Sequence, residues 1–156
     1  MKRLTLLACA FVLLSCAGGR PKTNIAQPEL QLYQLIGPAD LNYPAGSIEV
    51  QFALRIANRS SQPITLRQIQ MVPVSLGGPY RVVSNTYHFN KVIDANAAEE
   101  VPFWARAVAE GDAFANDANA PVSLRAVAQF QSPAGAFRQV LMKTFSQQGS
   151  GPRQGQ

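Results

Sequence analysis

Apolar and polar residues alternate with a period of two along much of this chain. The clearest segment runs from Ser47 to Asn58, where every second residue is apolar: Ile48, Val50, Phe52, Leu54 and Ile56. Successive side chains of a β-strand point to opposite faces, so this pattern predicts a strand with one face in a core and the other mostly toward solvent.

Six further segments read as strands, separated by turn-forming residues about every dozen positions. They are Glu29 to Ile36, Ile64 to Val74, Tyr80 to Ile93 with a bend near Ser84-Asn85, Glu99 to Val108, Pro121 to Gln131 and Ala136 to Phe145. The turns between them include Asn58 to Pro63, Asp94 to Ala97 and Ser132 to Gly135. Seven strands with no helical period predict an all-β fold, a seven-stranded immunoglobulin-like antiparallel β-sandwich.

The N-terminus follows a different pattern. A positive start, Met1-Lys2-Arg3, precedes an apolar stretch from Leu4 to Leu14 that only Thr5 interrupts. A spanning helix needs about 20 apolar residues, so this shorter stretch predicts a secretory signal peptide over residues 1–15. The next residues, Leu13-Leu14-Ser15-Cys16, resemble the lipobox of bacterial lipoproteins.

That resemblance implies cleavage before Cys16 and acylation of its thiol, palmitate being the typical acyl group, which would anchor the protein in a bacterial cell membrane. Leu6-Leu7-Ala8-Cys9 also reads as a lipobox, but the apolar run before Cys9 is short, and Cys9 is interpreted as an apolar signal-peptide residue. Ala17 follows Cys16 where an aspartate would favour inner-membrane retention. If the source has two membranes, the expected location is the outer membrane, facing the periplasm.

The rest of the chain divides by composition. Residues 16–27 carry the cysteine and a polar, Gly- and Pro-containing linker, residues 28–147 form the predicted sandwich, and residues 148–156 form a polar tail expected to be disordered. Cys9 and Cys16 are the only cysteines, so a disulfide within the sandwich is excluded.

Three segments of the sandwich carry a further resemblance. They are P-E-L-Q-L (Pro28 to Leu32), F-A-L-R-I-A-N (Phe52 to Asn58) and P-I-T-L-R-Q-I (Pro63 to Ile69). In this order after a lipobox they resemble bacterial lipoproteins with a late-embryogenesis-abundant type-2 domain, also called the water-stress/hypersensitive-response domain. The family's Asn-Pro-Asn turn is Asn58-Arg59-Ser60 here, so only the first Asn matches. The resemblance implies a seven-stranded immunoglobulin-like fold and a non-enzymatic role in stress protection or envelope binding.

Charge and candidate catalytic residues narrow the function. The net charge is +5, but the basic residues of the domain are singly spaced, which argues against nucleic-acid binding. His88 is the only histidine, no nucleophile elbow is present, and Glu99 and Glu100 would point to opposite faces of a strand. The loop from Glu110 to Asn119 could be a weak calcium site or a solvated loop. No catalytic residue, metal ligand or cofactor is assigned, and the protein is not expected to be an enzyme.

The sequence therefore favours a lipid-anchored envelope lipoprotein whose domain has a non-catalytic binding, interaction or protective role. A second hypothesis is a subunit of an envelope assembly with an obligate protein partner. It predicts an exposed apolar patch around Tyr80, Tyr87, Phe89 and Trp104. A third is a hydrolase with a pocket near His88.

Overall fold

The computed structural model describes residues 26–37, 46–74, 78–109 and 121–146. Within these ranges the chain forms β-strands and no helix. The strands are β1 (Glu29–Ile36), β2 (Gly46–Ala57), β3 (Ile64–Pro73), β4 (Tyr80–Val82), β5 (Asn85–Ile93), β6 (Ala98–Ala109), β7 (Val122–Ser132) and β8 (Gly135–Phe145).

These eight strands form two four-stranded antiparallel sheets. The first sheet has the order β1-β2-β6-β4, and the second has the order β5-β3-β7-β8. Six of the seven predicted strands are present within one residue of their expected ends. The turns predicted at Asp94 to Ala97 and at Ser132 to Gly135 are also present, and the second joins β7 to β8 in a hairpin.

The prediction of seven strands is wrong by one. The segment expected to run unbroken from Tyr80 to Ile93 is divided at Val83-Ser84, close to the predicted bend. β4 pairs with β6 in the first sheet, whereas β5 pairs with β3 in the second. The chain therefore changes sheets at the break, and a continuous run of β-forming residues conceals that change.

Both sheets contribute side chains to one hydrophobic core, as in a β-sandwich-like fold. The alternating apolar residues of β2 are all buried, and so are Leu66, Ile69 and Met71 of β3. A bulge at Arg67 shifts the alternation, which is why Leu66 and Ile69 share the inner face although they are three residues apart.

Pairs of aromatic residues connect the two sheets at two places, one between β5 and β6 and the other between β2 and β8. Phe103 of β6 lies 5.0 Å from Tyr87 and 6.1 Å from Phe89 of β5, measured between ring centroids. On the other side, Phe52 of β2 lies 5.6 Å from Phe145 of β8. These spacings are typical of stabilising aromatic pairs.

Asn58 connects two turns at one end of the sheets. Its buried side-chain amide donates hydrogen bonds to the carbonyl oxygens of Gln62 (2.9 Å), Asp94 (2.9 Å) and Ile93 (3.3 Å). Its Oδ1 accepts hydrogen bonds from the backbone N (3.1 Å) and Oγ (2.8 Å) of Ser60. Asn58 is thus a fully bonded link between the β2–β3 and β5–β6 turns.

Candidate functional site

Several predicted features lie outside the described residues. They are the signal peptide with Cys9, the lipidation residue Cys16 with most of its linker, the loop from Glu110 to Asn119, and the C-terminal tail. The lipid anchor and the calcium site therefore stay predictions. Among the described residues, no helix is long and apolar enough to cross a membrane.

His88 lies in the middle of β5, exposed, opposite Gln68 of β3. Asp94, the carboxylate nearest to His88 along the chain, follows the end of β5 six residues later. At about 3.3 Å per residue the two are roughly 20 Å apart along the strand. The structure therefore does not bring His88 and Asp94 together as a catalytic pair.

Glu99 and Glu100 point to opposite faces of β6, as predicted. Glu99 forms an ion pair with Lys91 of β5, with 3.0 Å between Oε2 and Nζ. On the outer face of the first sheet, the Tyr33 hydroxyl donates a 2.6 Å hydrogen bond to Glu100 Oε2. Within the described ranges, no group of three or more His, Cys, Asp or Glu side chains is placed to hold a metal ion.

Burial and the hydrogen bond to the Glu100 carboxylate together raise the pKa of Tyr33 to about 12. Desolvation disfavours the phenolate, and the neighbouring negative charge disfavours it further. Tyr33 is therefore a neutral hydrogen-bond donor at all physiological pH values and is not suited to act as a base.

The predicted apolar patch is not formed. Tyr80 is only 3% exposed and faces the core, while Tyr87 and Phe89 pack against Phe103 between the sheets. Only Trp104 is exposed, at 46%, on the outer face of the first sheet. Alternation on β5 and β6 explains this result, because Tyr87, Phe89 and Phe103 occupy inward positions and Trp104 an outward one.

Tyr80 crosses the inner face of the first sheet. Its hydroxyl donates a hydrogen bond to Gln34 Oε1 on β1, two strands beyond its neighbour β6. Burial raises the pKa of Tyr80. The inward residues of β6 at this end are small, Ala105 and Ala107, and both are fully buried. Tyr80 is therefore a core residue with a satisfied polar end.

A shallow depression lies at the β1–β2 edge of the first sheet. It is lined by Glu29, Gln31, Arg55, Ala57 and Arg59. Arg59 Nη2 and Glu29 Oε2 lie 3.4 Å apart there, but both side chains are largely exposed. An exposed ion pair of this kind contributes little binding energy, so the depression has the character of an ordinary polar surface.

Charge is divided unequally between the two sheets. The strands of the second sheet carry five basic residues (Arg67, Lys91, Arg125, Arg138 and Lys143) and no Asp or Glu. The strands of the first sheet carry four glutamates and three arginines.

On the outer face of the second sheet, arginine side chains lie next to exposed apolar side chains. Arg125 is paired across strands with Met142, which is 60% exposed, and Val127 with Val140, which is 54% exposed. We call this surface, with Arg67, Arg125, Arg138, Val140 and Met142, the cationic face. Sequence reasoning missed it because single basic residues far apart in the chain converge only once strand order is known.

The comparisons with known proteins assign no family. The sequence matches no known protein family and no curated protein. Its fold is similar to a Northeast Structural Genomics Consortium target designated SoR45, at 11% identity and a TM-score of 0.48, covering 80% of this chain and 88% of that one. It is also similar to a protein from Archaeoglobus fulgidus, at 11% identity and a TM-score of 0.46, covering 78% and 98%. These low scores carry no assignment of function.

Proposed function

We propose that this protein is a bacterial envelope lipoprotein, anchored by lipid on Cys16, whose β-domain has a non-catalytic binding, interaction or protective role. The observation that carries the proposal is the N-terminal order of a positive start, an eleven-residue apolar stretch and Leu13-Leu14-Ser15-Cys16. Two or three acyl chains on Cys16 would hold the domain at the membrane almost permanently, because each added chain multiplies the affinity for the bilayer.

We infer further that the two sheets form an immunoglobulin-like sandwich. Constant-type immunoglobulin domains have the sheets A-B-E-D and C-F-G. When β1 to β4 are taken as A to D and β6 to β8 as E to G, the strand orders here are A-B-E-D and C-F-G. β5 is then one extra strand, inserted between D and E and paired with C. The strand order, with side chains of both sheets in one core, supports this interpretation.

The proposed relation to the late-embryogenesis-abundant type-2 family has one structural support. Asn58, the position matching the family's turn motif, is buried and makes five side-chain hydrogen bonds. These hydrogen bonds hold the two turns together, so the turns need an asparagine at position 58. The residues at positions 59 and 60 do not match the family's motif, but an asparagine at position 58 is compatible with the proposed relation.

The described residues favour recognition over catalysis. His88 lies at an exposed strand position roughly 20 Å along the strand from Asp94, and the adjacent Glu99 and Glu100 point to opposite faces of the sheet. The alternative of an envelope assembly subunit has a specific observation in its favour. β8 is an edge strand of eleven residues, so a partner could add a strand along its backbone edge through main-chain hydrogen bonds. The exposed side chains of Val140 and Met142 would lie beside that contact.

The anchor is tested by replacing Cys16. In the full-length protein expressed in a bacterium, Cys16→Ser should abolish incorporation of labelled palmitate and leave the signal peptide uncleaved. Cys9→Ser is the matched control and should be acylated and processed like the wild type, because Cys9 would be removed with the signal. Continued acylation of Cys16→Ser, or its loss only in Cys9→Ser, would rule out Cys16 as the anchor.

A further inference from the structure

Within the described residues, no carboxylate neutralises the positive charge of the arginines on the cationic face. Arg125 and Arg138 have no ion-pair or hydrogen-bond partner among the described residues, and Arg67 donates to the neutral amide oxygen of Asn90. Of the carboxylates in the described ranges, four lie on the first sheet and Asp94 lies in a turn. This face therefore attracts an anionic partner over a distance of about one Debye length, roughly 8 Å at physiological salt.

The neighbouring side chains indicate what kind of anion fits. Guanidinium groups match phosphate in a two-pronged geometry, and the exposed side chains of Val140 and Met142 lie within one or two strand positions of Arg125 and Arg138. A surface combining cations with aliphatic side chains suits the boundary between lipid headgroups and acyl chains.

Other anionic macromolecules fit less well. The outward positions of β3, β5, β7 and β8 hold no Phe, Tyr or Trp within the described ranges, since the Phe and Tyr side chains of these strands all point inward. Single-stranded nucleic acids and most sugars are bound by stacking on several aromatic rings, whereas the outward positions of this sheet offer the single imidazole of His88. An extended sheet face with scattered arginines instead matches a laterally extended layer of phosphates.

We propose that the cationic face docks the domain flat on an anionic phospholipid surface, with the outer face of the first sheet turned away from the membrane. This inference rests on the proposed function in one respect: the lipid anchor on Cys16 is what keeps the domain close to the membrane. Cys16 and the start of β1 at Glu29 are thirteen residues apart, a span of roughly 45 Å at full extension, so the chain length permits this orientation. Tethering raises the effective concentration of bilayer at the face, so individually weak contacts suffice.

The native tryptophan provides a direct test. Trp104 is the only tryptophan of the chain and lies on the outer face of the first sheet. A second full-length protein, carrying Trp104→Phe and Val140→Trp, moves the probe to the cationic face. Both are reconstituted into vesicles of phosphatidylglycerol and phosphatidylethanolamine, or of phosphatidylcholine alone, with lipids brominated near the headgroup as quenchers of nearby tryptophan fluorescence.

The expected result is quenching of the tryptophan at position 140 in anionic vesicles only, decreasing as salt is raised, with Trp104 unquenched throughout. Adding Arg125→Gln and Arg138→Gln should weaken docking roughly 30-fold, at about fivefold per arginine near an anionic surface. The matched control, Arg55→Gln with Arg106→Gln on the opposite face, should leave the quenching unchanged.

Three outcomes would overturn the proposal: no quenching at position 140, equal quenching in phosphatidylcholine, or quenching of Trp104 instead. The first would point to an acidic protein or polysaccharide as the partner of this face. Mass spectrometry of the Cys16 peptide from the same preparations reports the anchor independently. An acylated protein without face-specific quenching refutes docking alone, whereas an unacylated protein with salt-dependent quenching refutes the anchor alone.

Discussion

At the scale of single residues, Asn58 shows how one buried amide can hold two turns together. Replacing it with Ala would remove a donor from the carbonyl oxygens of Gln62, Ile93 and Asp94, and would remove the acceptor Oδ1 from Ser60. The Gln62 carbonyl would keep the Ser60 hydroxyl as a donor, and the Asp94 carbonyl would keep the Ala97 backbone N. An unsatisfied buried polar group costs about 1–3 kcal/mol, and part of this set can recover water, so we expect Asn58→Ala to lower the free energy of unfolding by about 2–4 kcal/mol. Urea unfolding followed by Trp104 fluorescence measures this change.

Ser61→Ala is the control for that experiment, because Ser61 is an exposed residue of the same turn. Its unfolding free energy should stay within about 0.5 kcal/mol of the wild type. If the two variants were equally stable, Asn58 would not be the link between the turns that its hydrogen bonds indicate.

Tyr33 gives a pH-dependent prediction. Its folded-state pKa of about 12 lies above the ordinary value of 10.0, owing first to desolvation and then to Glu100. The neutral phenol therefore stabilises the fold fully below pH 10, and that contribution is lost as pH rises from 10 through 12. In an absorbance titration of phenolate formation, Tyr33→Phe should remove a step near pH 12, and Glu100→Gln should move that step to lower pH. A Tyr33 step at pH 10 in the wild type would contradict both the partial burial of the phenol and its hydrogen bond to Glu100.

At the scale of elements, the side of the molecule between β5 and β6 depends on Phe103. Its ring contacts Phe52 as well as Tyr87 and Phe89, so it joins both sheets. Phe103→Ala should lower the free energy of unfolding by about 3–5 kcal/mol, the usual cost of removing a buried phenylalanine.

The matched control is Trp104→Ala, at the next residue of the same strand but on the opposite face. Because the Trp104 side chain is half exposed, its removal should cost about 1 kcal/mol or less. Urea unfolding of both variants, followed by far-ultraviolet circular dichroism because one lacks tryptophan, checks the difference. Equal losses would mean that the faces of β6 are assigned wrongly.

Strand positions could be predicted from the sequence because local alternation specifies them, and β2 is the clearest case. Which strands pair with each other could not be predicted in the same way, because pairing depends on contacts between segments that are far apart in the sequence. Pro102 illustrates the difference. It suggests an edge strand, yet β6 is internal in the strand order. β4 pairs only with Ala107 to Ala109, so among the described residues β6 has just one partner, β2, at Pro102.

At the scale of the whole molecule, the division of charge between sheets is equally invisible in the one-dimensional pattern. Arg67, Arg125 and Arg138 are separated by up to seventy-one positions and look like an evenly dispersed solvent surface. The order β5-β3-β7-β8 brings these three arginines onto one sheet. The glutamates of the described strands all belong to the first sheet. Prediction of the lipid anchor, in contrast, needs only a contiguous motif.

The predicted domain limits can be tested on the whole molecule as well. A fragment of residues 28–147 contains all eight strands, so it should unfold cooperatively with the same urea midpoint and slope as the mature chain. A fragment ending at Ser132 lacks β8, which would expose Phe130 and remove the Phe52–Phe145 contact between the sheets. We expect that fragment to lose its cooperative transition in circular dichroism. If it kept the full transition, β8 would be dispensable and the C-terminal limit of the domain would have to be moved inward. If the 28–147 fragment were itself unfolded, segments outside these limits would be part of the folded unit.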